Sequence, residues 1–550
     1  MAKRKSKKKL NKVKKEPDAP TLSKKELAAQ NRKAAKERQE FISFTSAIFF
    51  ASVFIGLLLY PVGGVKAVIA AIAGIVSIAL SYKYPRKALW FFLMYVPFGG
   101  TVVYAVAGGN ALFQLAKDAF YIPAAIALFQ DCQKKKLPFL LPAGLKPTLY
   151  ILLIACVLTL LVANGSQQLN PGGEKPIVLG LLGLKVLLGY LPLISCGYYL
   201  IRSKRELLFL TRSHLVLALI CCVLGLIQYQ FLSSGRCPGT RGLSGDALFK
   251  ATLSAKCLVG GSLVFSPEVG AIRLPGTFVS PWHWAWFLIA NAFLTYSTAF
   301  SDPSLLWRLG GLAGMALVFI NAVISGQRIA LALVPIVIVI LLVLTGQVAN
   351  LKRFLPIAVG LGLLAAIGMT MFPDLVQERV DSFVSRWNAS PPTDFIAAQA
   401  ENSSRSQEGF FGAGLGRATN SARAFGETTL IETYFPKLLY EIGWPGLIAF
   451  LMLVSSLTFL TFKAYRSVKE HNLRSFAASF WVFVLLISYN TYWYPLDTDP
   501  VAVYYWFLAG VILKLPEIDR QAQEQKHLLE PEEERPKNKK RNRFNKPGFA

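Results

Sequence analysis

Residues 427–446, ETTLIETYFPKLLYEIGWPG, set a carboxylate, Glu432, just ahead of an apolar run long enough to cross a bilayer. Two kinds of chemistry suit an acid in that place. Near a helix N-terminus a carboxylate is mildly stabilised by the helix dipole, which needs no ligand. At a membrane surface it can instead act as a general base toward a substrate hydroxyl, if cations and substrate reach the same side. Arg328 is the most telling cation. It ends the turn SGQR inside VFINAVISGQRIALALVPIV. An arginine at membrane depth costs about 3 kcal/mol unless a partner or a wet cavity receives it. It either snorkels to the headgroups or holds an anion, because a guanidinium grips phosphate oxygens bidentately and stays charged. Arg273, which opens RLPGTFVSPWHWAWF, lies in a polar loop, where a solvated surface role is the default.

Other polar residues carry weaker signals. His283 stands between Trp282 and Trp284, so it reads as part of an interfacial aromatic belt or as a substrate contact. The long stretch before Glu432 carries Arg379, Arg386, Arg405, Arg417 and Arg423, and Tyr434 follows the acid closely. Asp497-Thr-Asp499 is a D-x-D. In soluble glycosyltransferases that motif holds a metal and a nucleotide sugar, but here it sits in a very short loop between apolar runs with no strand before it, and it reads as a turn. Lys185 is embedded in an apolar run, where it either pairs with a carboxylate or marks a lipid-carrier groove. The four histidines are scattered without ligand spacing, so neither a metal site nor a cofactor is expected. Cys156, Cys196, Cys221 and Cys222 fall in apolar runs and read as core. Cys132 falls on the cytoplasmic side. Cys237 and Cys257 share one loop and either pair there or stay free.

The elements that must position these residues are membrane helices. Of the 550 residues 53% are hydrophobic, and they come in blocks. About fourteen blocks approach the length needed to span the hydrocarbon, among them 282–299, 329–346, 354–372 and 438–462. The chain therefore reads as an all-α polytopic membrane protein with about 14 transmembrane helices. A basic disordered arm over 1–40, a membrane domain over 41–515 and a charged disordered tail over 516–550 divide it. Residues 41–60 lack a small-residue cleavage site and read as a first anchor rather than a removed signal peptide. Residues 202–212, RSKRELLFLTR, read as a basic amphipathic surface stretch.

The net charge of +28 would suggest nucleic acid in a soluble protein. Here it collects in the two tails and in short loops. Such tails are drawn to anionic lipid at about 1 kcal/mol per basic residue, so the lipid bilayer is the expected partner and no nucleic acid is. Lys and Arg concentrate on the cytoplasmic side of short loops. Lys83/Arg86/Lys87, Lys134–Lys136, Arg202/Lys204/Arg205, Lys352/Arg353, Lys463/Arg466/Lys469 and both tails all fall on one side when the helices alternate. That alternation puts both termini in the cytoplasm and two long loops, 233–281 and 373–437, outside a plasma membrane. Loops of that length are functional or disordered. The second carries the glycine cluster FFGAGLG, which lacks the strand and helix of a dinucleotide fingerprint and reads as a turn-rich approach to the membrane.

Three of these elements together resemble the O-antigen ligase and polymerase superfamily of bacterial envelope glycan enzymes. They are Arg273-Leu-Pro-Gly-Thr-Phe before a new helix, the Ser325–Arg328 turn between two helices, and Glu432 at the end of a long loop followed by aromatics, leucines, Glu441 and Gly-Trp-Pro-Gly. The resemblance covers roughly 180–462, and the basic arm and the wording of RLPGTFVSPWHWAWF are most similar to members serving hormogonium polysaccharide in filamentous cyanobacteria. It implies a GT-C-like bundle and an inverting, metal-independent glycosyltransferase acting on a polyprenyl-diphosphate-linked oligosaccharide at the outer membrane face. It also implies work beside other polysaccharide export proteins. Carried over residue by residue, it makes Glu432 the base and gives the diphosphate to Arg273 and Arg328. His283, Tyr434, Arg417 and Arg423 become candidate substrate contacts. Family ligases resemble one another in having His where Glu432 stands, so Glu favours a polymerase. A ligase, a flippase or transporter, and a scaffolding membrane protein stay open as alternatives.

Overall fold

The computed structural model describes residues 24–529 except 140–141, 171, 267–270, most of 348–372, 390, 407–408 and 424. The helix expected over 354–372 thus lies largely outside the described residues, as do residues 1–23 and 530–550.

Apolar runs become helices nearly wherever the sequence expects them. Ten helices among the described residues are long and apolar enough to cross a membrane. Residues 1–80 form one unit, made of α1 (Lys24–Leu58) and most of α2 (Tyr60–Lys83), which Gly64 kinks. Within it Gly56 faces the side chains of Val68 and Ile72. α1 begins at Lys24, inside the arm expected to be disordered. Its Lys, Glu, Ala and Arg residues favour helix.

Residues 81–550 form the second unit. It holds α3 (Pro85–Tyr95), α4 (Asp118–Lys134), α5 (Lys146–Thr159), α6 (Pro176–Leu188), α7 (Leu193–Leu200) and α8 (Lys204–Ser233). These are followed by α9 (Pro281–Ser301), α10 (Leu305–Ile324), α11 (Arg328–Leu344), α12 (Pro373–Ala389) and α13 (Pro392–Arg405). The last three are α14 (Tyr434–Ser467), α15 (His471–Tyr489) and α16 (Val501–Leu529), which enters the tail expected to be disordered. A helix that is apolar on all sides belongs inside a bundle. α9 is such a helix, and it packs against α8, α10, α11, α15 and α16. Trp284 and Trp286 are wholly enclosed on it, whereas Trp282 and His283 are half-buried. The two long loops are structured. The first pairs β1 (Phe265–Ser266) with β2 (Ala271–Ile272) and joins Cys237 to Cys257. The second contains α12 and α13.

Loop contacts fall into two sets. Residues on the expected outer side meet one another, in the pairs Leu274 with Ser325, Glu432 with Trp493, and Gln167 with Arg417. Residues on the expected inner side do the same, in the pairs Arg86 with Glu206, Lys204 with Glu470, and Lys469 with Asp519.

The glycine cluster has a structural task. α14 breaks at Gly443, whose φ of 63° and ψ of −173° suit glycine alone. Pro445 follows and removes a further donor. Carbonyls freed at such a break must find donors inside a membrane. Ala413 N–H donates to the Tyr440 carbonyl at 2.7 Å and Gly414 N–H to that of Glu441 at 3.2 Å. Residues 411–416 are thereby laid along the break as a strap. Its other side is held by Asn164, which accepts from Leu415 N–H at 2.9 Å and donates to the Leu415 carbonyl at 3.1 Å.

Candidate active site

The two arginine-bearing turns are adjacent. Leu274 N–H donates to the Ser325 carbonyl at 3.0 Å, so the residue after Arg273 is bonded to the start of the SGQR turn. Each turn is fixed locally. Gly276 sits at φ 56°, and an added Cβ would run into the Trp284 ring. Gln228 of α8 clamps that glycine, accepting from its N–H at 2.9 Å and donating to its carbonyl at 3.1 Å and to that of Cys257 at 2.8 Å. In the other turn, Ser325 Oγ accepts from Gln327 N–H at 3.2 Å, and α11 then starts at Arg328. Arg273 and Arg328 are both half-buried.

Glu432 is half-buried too, and its backbone is held on both sides. Gln399 of α13 accepts from its N–H at 3.2 Å, and its carbonyl accepts from Trp493 N–H at 3.0 Å. Thr433 and Tyr492 form an antiparallel bridge, and Tyr434 N–H donates to the Thr491 carbonyl at 2.6 Å. The short loop 490–500 therefore carries the acid. Tyr494 in that loop has its phenol raised, first by burial and then by the charges of Glu432 and Asp497. Trp286 Nε1 of α9 donates to the Trp493 carbonyl at 3.2 Å, which ties the loop to the helix that Arg273 precedes.

The D-x-D carboxylates face two different lysines. Asp497 pairs with Lys437, which also lies 3.6 Å from Glu441. Glu441 in turn accepts from Ala418 N–H at 2.8 Å and the Thr419 hydroxyl at 2.9 Å. Lys437 and Glu441 are each 2% exposed. Asp499 pairs with Lys117 at 2.9 Å. Burial alone would raise the Asp499 carboxyl, but Lys117, helped by Lys185 and His283, outweighs it and holds the carboxyl below its ordinary value. His283 accompanies this second pair within electrostatic reach, its Nδ1 2.6 Å from Ser280 Oγ. Lys185 finds its partner nearby, Asp118 at 2.8 Å. Among the described residues, no three His, Cys, Asp or Glu converge as a metal-ligating group.

The remaining candidates divide. Arg417 is committed to Glu174 at 2.8 Å and to Gln167 at 2.8 Å, and the hydrogen bond from Arg417 holds the Glu174 carboxyl below its usual range. Arg423 is exposed. Tyr434 is 1% exposed and stacks edge-on against Phe450, which makes it core rather than a surface contact. Gln228, Lys437 and Lys117 escaped the sequence reading, and Asp497 was read only as part of a turn. Their signal was available as polar residues inside or beside apolar runs, each of which requires a partner. No protein-family model matches the chain, and no curated protein sequence matches it.

Proposed function

We propose that the chain is a membrane glycosyltransferase that extends a glycan carried on a polyprenyl diphosphate, at the outer face of the plasma membrane, for exopolysaccharide biosynthesis. The hydrogen bond between Leu274 and Ser325 carries this reading, because it sets two arginine-bearing turns side by side, and paired guanidiniums suit a diphosphate. Glu432 takes the proton of the acceptor hydroxyl. The hydroxyl oxygen bonds to the anomeric carbon from the face opposite the carrier, the bond to the diphosphate breaks with inversion, and the charge left on the diphosphate is met by Arg273 and Arg328. The Cys237–Cys257 disulfide suits an oxidising outer compartment.

Deleting the protein and analysing the carrier-linked glycans tests the reading. Accumulated single repeat units support a polymerase. Accumulated full-length chains indicate a ligase, and trapping at the cytoplasmic face indicates a flippase; either would replace it.

A further inference from the structure

Loop 490–500 and the start of α14 close a ring around Glu432. The chain runs from Glu432 to Lys437, and Lys437 pairs with Asp497. The chain then runs back from Asp497 to Trp493, whose N–H returns to the Glu432 carbonyl at 3.0 Å. The backbone inside that ring is strained. Trp493 and Tyr494 stand at φ 56° and 25°, a region that bulky side chains avoid and that costs about 1–3 kcal/mol per residue unless the surroundings enforce it. Two hydrogen bonds, from Asp497 N–H and the Thr498 hydroxyl, both 3.2 Å from the Tyr494 carbonyl, fold the loop onto this turn. The ion pair then fastens the folded loop to α14. A buried lysine and carboxylate are poor sources of net stability. Their use here is geometric, since Lys437 is also oriented by Glu441, which is anchored to Ala418 and Thr419.

We propose that Asp497 and Lys437 are positioning residues for Glu432: their ion pair locks the Trp493–Tyr494 turn and so fixes where the acid stands relative to the two arginine-bearing turns. The inference rests on the reading of Glu432 as the base. It gives the D-x-D motif a role without nucleotide or metal, one carboxylate for the Glu432 ring and the other for Lys117.

The test uses the full-length protein reconstituted in lipid, with polyprenyl-diphosphate-linked glycan extracted from cells that lack the protein as donor and acceptor. Rates are measured against pH and substrate concentration. Asp497→Asn keeps the size and a hydrogen bond to Lys437 but removes the charge. It is expected to lower kcat by about 10-fold or more, with KM within about twofold and the acid limb of the pH profile displaced. Amide hydrogen exchange at residues 430–436 and 490–498 is expected to speed up while exchange elsewhere stays the same. Lys437→Arg, which retains the pair, is expected to keep most of the rate. Should Asp497→Asn not fold, Asp497→Glu carries the same test, with the same kcat and KM split in smaller measure. A folded Asp497 variant with unchanged kcat, pH profile and exchange, beside an inactive Glu432→Gln, overturns the positioning role alone. A Glu432→Gln protein as active as the parent overturns the base assignment and this inference with it.

Discussion

Gln228 holds Gly276 by both ends of its peptide, at 2.9 Å to the N–H and 3.1 Å to the carbonyl. The amide is wholly buried and spends its remaining donor capacity on the Cys257 carbonyl. Replacing it by Leu would leave the Gly276 N–H and carbonyl without their partner, while the Cys257 carbonyl keeps the Gly260 N–H at 3.2 Å. Gln228→Leu is expected to destabilise the protein by about 1–3 kcal/mol and to loosen the turn that follows Arg273. Thermal unfolding in detergent measures the first effect. An unchanged unfolding temperature would show that the clamp is dispensable.

For the chemistry, Glu432→Gln is expected to lower glycan transfer by about 100-fold or more, the range of a lost general base. Arg273→Ala or Arg328→Ala should each lower it by about 100-fold through the lost stabilisation of the departing charge. Membrane insertion should persist in all three. Polymer length and carrier-linked intermediates are the measurements, and normal polymer in all three variants would refute the site.

The break in α14 predicts a backbone-specific defect. Gly443→Ala places a Cβ against Phe410 and Gly412 in a conformation reserved for glycine. A loss of about 1–3 kcal/mol is expected. Protease sensitivity should rise near residues 410–416 before it rises elsewhere.

Stability should fall at low pH through two carboxylates. The folded values of Asp499 and Glu174 both lie below the ordinary ones. Each therefore contributes stability that is present above its unfolded value and lost as pH falls through the folded one. For Asp499 the loss comes below its ordinary value of 3.8, and for Glu174 below 4.5. Lys117→Met removes the main cation that holds Asp499 down, so the variant should be less stable at neutral pH and the Asp499 share of the acid loss should shrink, giving a smaller fall in melting temperature on acidification than in the parent. Melting temperature against pH in the parent and the variant checks the direction.

The thiol inventory gives a direct count. Cys237 and Cys257 are joined across 20 residues, and Cys132, Cys156, Cys196, Cys221 and Cys222 are free. Alkylation of the denatured chain should label five thiols before reduction and seven after. Serine at both paired positions should lower stability by about 3 kcal/mol on loop entropy.

The membrane helices were legible because hydrophobic length is a local property, written residue after residue. So was the place of Glu432 ahead of α14. The partners were less legible. Asp497 meets Lys437 and Asp499 meets Lys117 across long stretches of chain, and no spacing rule encodes such pairs. Lys185 read either as paired with a carboxylate or as marking a lipid-carrier groove, and Asp118 could be named only once α4 and α6 were packed. The second long loop read only as functional or disordered, although Pro373–Ala389 and Pro392–Arg405 within it are helical, because neither helix carries an apolar run.

The strap at residues 411–416 also bears on the order of biogenesis. Three of its partners, Thr159, Asn164 and Gln167, lie on residues made before it. The other two, the carbonyls of Tyr440 and Glu441, leave the ribosome after it. A nascent chain stopped short of α14 holds this strand with one edge unmet. The second unit is thus sealed by a late event, and truncation before residue 440 should be read by the cell's quality control as an unfinished protein.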